Sequence, residues 1–225
     1  MKAAEWKRVV RPLLPVGQSW AFRGQLCYLQ PVEWVLTGVL GEGSGFHTGV
    51  YLWQVSMPMF VPSDVVSLSF SSRVGGGARI YDTDEPAALH QAISAGLAAT
   101  TAAEPLRVIA CTSVTKNARL FEERAYARIL IGDLDSASAD LAAAAASEVT
   151  VPWVQDIVDR ANLIRELLES DGEVGVTRQL ASWRDYTCAA LGIAGEGRGT
   201  RNGPPRPDMG RRPAVRQDRS HPPRA

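Results

Sequence analysis

An α+β fold is predicted by three features of the chain. The hydrophobic period changes near Tyr81, turn-linked strand patterns precede that point, and capped, Ala-rich helical segments follow it. The expected architecture is a short N-terminal helix, an antiparallel meander of four or five strands, and a C-terminal bundle of about five helices. A disordered tail closes the chain. The expected boundaries are 1–82 for the helix and sheet, 83–192 for a helical half packed with the sheet as one domain, and 193–225 for the tail.

Residues 3–14 read as a helix, because Trp6, Val9, Val10 and Leu13 share a face and Pro15 with Gly17 ends it. Trp20-Ala-Phe22 and Leu26-Cys-Tyr-Leu29, separated by Arg23-Gly24, read as a hairpin. Val32 to Leu40 is β-branched enough for a third strand, with Gly41 to Gly45 as the loop after it. Residues 50–55 are apolar on both alternating faces, as in a central strand covered on both sides. In 66–71, Val66, Leu68 and Phe70 alternate with serines, which predicts a strand with one wet face. Gly75 to Gly77 reads as a turn before a short strand at Arg79-Ile-Tyr81. Short connections favour a meander over βαβ crossovers.

The helical half opens at Pro86, tolerated in a first turn because its missing N–H would have no partner there. Helices are expected over about 85–103, from Pro105 to Cys111, over 118–132, and over 135–147. A further two run from Pro152 to Asp171 and over about 173–191. The 118–147 unit looks like a single helical hairpin of the tetratricopeptide type. No second copy follows, so no solenoid is expected. On the helix from Pro152, Trp153, Ile157, Ala161, Ile164 and Leu168 share the face expected to be buried.

The chain has 24 basic and 24 acidic residues, but the charges are unevenly placed. From Glu196 onward there are eight Arg and three acidic residues, a net of +5, so residues 1–195 carry −5. An acidic body argues against a phosphate-binding surface there. The tail, with six Pro and four Gly in its thirty residues, cannot offset its ordering entropy by burial. It is expected to bind nucleic acid nonspecifically at most, and Pro204-Pro-Arg-Pro207 fits a frequent PxxP pattern. No apolar run approaches the about 20 residues needed to span a bilayer. The N-terminus lacks a signal-peptide core, and Cys27, Cys111 and Cys188 form no CxxC pair. These features predict a cytoplasmic protein with no membrane association and three small buried thiols.

Catalytic patterns are sparse. Gly41-Glu-Gly-Ser-Gly45 lacks the Gly-Lys-Ser/Thr ending of a phosphate loop and precedes a strand pattern. His47 and His90 have no metal-ligand spacing; His47 as a base oriented by Asp64 or Glu33 is the one conceivable acid–base pair. No cofactor, metal or catalytic residue is therefore assigned. Arg23, Arg73 and Arg79, which flank turns of the sheet, together with His47, form the candidate partner-binding surface. Glu122, Glu123, Arg124 and Arg128 lie on a helix that is apolar nearly all round. They are expected to be partly buried and hence paired, the other reading being the polar lining of a groove between helices.

Leu13-Leu-Pro-Val-Gly17, followed by a hairpin with the Arg23-Gly24 turn, resembles the opening of uncharacterised bacterial α+β domains. Some of these are grouped with toxin-immunity proteins, and the resemblance spans residues 6–73 and 118–191. Gln18 stands where that pattern has an aromatic residue. The resemblance implies an immunity-like or regulatory protein partner and carries over no catalytic residues. The expected function is a non-catalytic protein-binding module. The alternative is an enzyme with a small-molecule pocket between sheet and helices.

Overall fold

The computed structural model describes residues 1–43, 49–75, 80–81 and 85–193. The tail expected over 193–225 lies outside the described residues beyond Ile193, as do His47 and Arg79. The chain opens with α1 (Ala3–Val10) and a 3-10 turn at Arg11–Leu13, then forms β1 (Ser19–Arg23), β2 (Leu26–Gln30), β3 (Val35–Gly43) and β4 (Val50–Pro58). Two short strands follow, β5 (Ser72–Arg73) and β6 (Ile80–Tyr81). The helices are α2 (Pro86–Ala102), α3 (Pro105–Ala110), α4 (Ala118–Leu130), α5 (Leu134–Ala145), α6 (Pro152–Ser170) and α7 (Gly172–Ala190). The α+β class and the order of helix, antiparallel sheet and helices match the sequence-based expectation.

The sheet is an antiparallel meander in the order β1-β2-β3-β4-β5, with β6 also on β4. β5 pairs with Trp53 and Gln54, and β6 with Val50 and Tyr51, so the two short strands share one lane along the same edge of β4. β4 is thus interior, as its two-sided apolar pattern predicts. Its Val50 and Leu52 face Trp6, Val10, Leu89, Ile93 and Leu97 from α1 and α2. Val55 and Met57 face Cys188, Leu191 and Ile193 at the end of α7.

The helices α3 to α7 pack on one another, with α4 central. Their core joins Tyr126, Leu141, Ile157, Ile164, Leu180 and Trp183 to Val35, Phe60 and Val61. Asn117 caps α4 by accepting a hydrogen bond from Leu120 N, and Gly132 at φ 82° turns the chain into α5. α7 is tied to the connection after β4 by Thr187, whose Oγ1 donates to Val61 O at 3.0 Å and accepts from Ser63 N at 3.2 Å.

Four expectations are corrected. Residues 66–70 form no strand. Ser67 Oγ meets Ser69 Oγ at 2.8 Å, Ser69 N donates to Ser67 Oγ, and Ser71 N donates to Leu68 O, so local bonds and two side-chain contacts to β4, at Ser56 N and Met57 Sδ, replace a ladder. Val66 and Leu68 are still apolar contacts, against the cluster under α7. β3 continues through Gly41 to Gly43 rather than ending at Leu40. Gly41 is needed there because a Cβ would lie 2.6 Å from the Trp6 ring packed over it. On α6, Val154 is buried and Trp153 is 56 % exposed. A face centred on Ile157 can be extended by either residue, and Val154 keeps the seven-residue step to Ala161. Finally, Cys111 is exposed, because it follows the last turn of α3 as its C-cap, whereas Cys27 and Cys188 are buried.

Candidate functional site

The charges on α4 are built into ion pairs. Glu122, fully buried, accepts from Arg160 Nε at 2.6 Å and Nη2 at 3.0 Å, and from the Tyr126 hydroxyl at 3.1 Å. Arg124 grips Asp140 of α5 in a two-pronged contact, with Nε and Nη2 at 2.8 and 2.6 Å, and donates to Thr112 O at 2.7 Å. Arg128 reaches the same Asp140 at 2.6 Å and donates to the carbonyls of Ala110 and Ser136. One carboxylate therefore clamps α4 to α5, and both arginines also satisfy chain carbonyls.

Glu123 is less completely partnered. Its Oε1 accepts from Arg119 Nε at 3.0 Å, while its buried Oε2 has no partner. Burial pushes its carboxyl up to about 7, opposed by the Arg119 charge and hydrogen bond, with Glu122 adding to the rise and Arg160 opposing it. Burial also drives the Tyr126 hydroxyl well above its usual value and pushes the Cys27 thiol up to about 12. The Cys188 thiol is raised by burial too, so neither buried cysteine is an activated nucleophile.

The sheet register places the arginines predicted from the turns. Arg23, Leu26, Leu40, Trp53 and Arg73 are successive cross-strand partners from β1 to β5, so they form one row on one face. Arg23 and Arg73 stand at opposite ends of that row. At about 4.8 Å per strand they are about 19 Å apart. Arg73 lies over the rings of Tyr51 and Trp53 at 4.2 and 4.7 Å, and Trp53 Nε1 donates to Glu42 Oε2 at 2.9 Å. The helices leave this end of the face partly open: Arg23 and Glu42 are exposed, and Leu40, Tyr51, Trp53 and Arg73 half-buried.

A cavity of about 390 Å³ opens at the other end of the sheet, between β3, the end of α2 and α3. Trp34, Val35, Thr37, Thr100, Leu106 and Ile131 line it together with Glu33, Glu104 and Arg107. Glu104 and Arg107 pair with each other at 2.9 Å at the exposed rim. The cavity contains no His or Cys, and Glu122, Glu123, Arg124 and Arg128 do not line it. Asp64, the alternative to Glu33 as an orienter of His47, is exposed on the connection after β4.

Sequence reasoning missed Asp140, Arg160 and Arg119, the partners of the α4 charges. Asp140 carried one signal, a lone acid on the Ala137, Leu141 and Ala144 face of α5. Arg160 carried another, standing between Ile157, Ala161 and Ile164. The cavity had no sequence signal beyond Pro31 and Pro105, which belong to its lining. Among the described residues no group of three or more His, Cys, Asp or Glu could hold a metal ion, and no helix is long and apolar enough to cross a membrane. No family model, curated protein or solved structure matches the chain, so the resemblance to immunity-type domains rests on its short motifs alone.

Proposed function

We propose that the protein is a non-catalytic protein-binding module, regulatory or immunity-like, that engages its partner through the open end of the sheet face. The observation that carries this is the stack of Arg73 on Tyr51 and Trp53, the latter held by Glu42. Trp, Tyr and Arg are the residue types that dominate binding energy at protein interfaces. Here the neighbouring strands β4 and β5 present all three half-buried, while the charges of α4 are engaged within the fold. Leu40 continues the apolar centre, and Arg23 and Glu42 supply a polar rim.

The test is affinity capture from the cells of origin, followed by calorimetry of the purified pair. Trp53→Ala and Arg73→Ala are each expected to weaken binding by about tenfold or more. Trp153→Ala, an exposed aromatic on α6, is expected to leave binding unchanged. Binding that survives both sheet substitutions would overturn the assignment of the surface.

A second reading, an enzyme or small-molecule binder, is favoured by the cavity beside Trp34 and Thr100. It predicts small molecules that raise the melting temperature of the wild-type chain but not of Thr101→Trp, which fills the cavity. Turnover of such a compound would replace the protein-binding proposal.

A further inference from the structure

The two edges of the sheet are treated differently. On the β4 side the outer lane consists of β5 and β6, two residues each, and so short an edge is a poor template for another strand. On the other side β1 keeps regular register with β2 through all five residues, Ser19 to Arg23. Its sequence Ser-Trp-Ala-Phe-Arg holds no proline or lysine, and its three central residues are half-buried rather than charged. Among the described residues its only hydrogen-bonded strand neighbour is β2.

The turn sets which backbone groups point outward. Arg23 pairs with Leu26 across the two-residue turn Gly24-Gln25, which makes theirs a hydrogen-bonded pair. Alternation then makes Ala21 and Tyr28 another such pair and leaves the N–H and C=O groups of Trp20 and Phe22 directed away from β2.

We propose that this edge is a self-association surface: two copies of the chain pair their β1 strands antiparallel about a twofold axis at Ala21, joining the two sheets into one. The pattern is self-complementary. Trp20 falls opposite Phe22 of the second copy on the face that carries α1 and α2, and their outward backbone groups supply the ladder. Ala21 meets Ala21, a small side chain where non-hydrogen-bonded Cα atoms approach to about 4.5 Å. Arg23 falls opposite Ser19, so no like charges are opposed. So short a ladder gives a reversible, concentration-dependent dimer. It uses the strand edge and not the Trp53 and Arg73 stack, and it shares with the function proposed above only Arg23, at the far end of that surface.

Sedimentation velocity of the full chain over a concentration series at low salt tests this. The wild type is expected to move from monomer to dimer. Ser19→Glu places a carboxylate opposite Arg23 twice per dimer and is expected to tighten association about fivefold, whereas Ser19→Arg weakens it. Ala21→Glu sets two carboxylates against each other at the axis and is expected to abolish the dimer. Ser19 is exposed, so its two variants keep the fold, which far-UV circular dichroism checks. A wild type that stays monomeric throughout would leave the edge to some other strand and overturn the proposal. So would a dimer indifferent to Ala21→Glu, or Ser19 variants that shift it in the same direction.

Discussion

Burial places Glu122 and Glu123 in different electrostatic positions although they are consecutive on α4. Glu122 has three donors around its two oxygens, from Arg160 and Tyr126. Glu123 has one, and its other oxygen is buried without a partner, so its carboxyl is pushed up from 4.5 to about 7. The folded state therefore holds this proton more tightly than the unfolded chain does. Its contribution to stability is fully present below 4.5, declines as pH rises, and is lost above about 7. The loss is on the order of 3 kcal/mol. Glu123→Gln keeps the shape and an acceptor for Arg119 while removing the titration. Its urea midpoint is expected to equal that of the wild type at low pH, to exceed it above 7, and to lack the slope between. A wild-type midpoint that rises across this window, or a Gln variant with the same slope, would refute the assignment.

Between elements, the ionic contacts of the α4–α5 hairpin converge on one side chain, beside the apolar packing of Ala125 and Ile129 with Ala137 and Leu141. Asp140 is 4 % exposed and receives both Arg124 and Arg128. Asp140→Ala leaves two guanidinium groups facing each other without their common anion, a loss of about 3–5 kcal/mol in urea unfolding. Asp140→Asn, which still accepts hydrogen bonds, is expected to lose less. The need for such pairing is legible from α4 alone: its apolar residues go nearly all the way round, so Glu122, Arg124 and Arg128 must be buried and matched. The identity of the partners is not legible, because Ala-rich α5 gives a weak face and nothing local fixes the rotation of one helix against another. The strands divide in the same way. The β1–β2 hairpin and the two-sided burial of β4 follow from local alternation and a glycine turn. Residues 66–71 alternate equally well, yet Ser67 and Ser69 bond each other. The segment meets β4 through side chains, Ser56 N donating to Ser71 Oγ and Ser67 N to Met57 Sδ, rather than through a backbone ladder. The shared row of Arg23 and Arg73 depends on register across five strands, information that no single segment carries.

At the scale of the whole molecule, α7 reaches both the helical core and the sheet, as Val35, Phe60 and Val61 do from the other side. Its first three turns place Val176, Leu180 and Trp183 in the core with Tyr126 and Ile157. Its end places Cys188 and Leu191 against Tyr28, Leu36 and Met57 on the sheet. Between those two sets Thr187 bonds the connection that leaves β4. Through α7 the two cores share one continuous element. The sheet and the helical bundle are therefore expected to unfold in a single cooperative transition, with tryptophan fluorescence and far-UV circular dichroism giving coincident curves. Leu191 is fully buried on the sheet side of α7, and Leu191→Ala is expected to cost about 2–5 kcal/mol. Because the helix is shared, that loss should move both probes together, including the signal from Trp183 in the other core. If Leu191→Ala instead splits the transition, with the sheet melting before the helices, then α7 does not couple the two cores. The chain would then be two units joined by a helix.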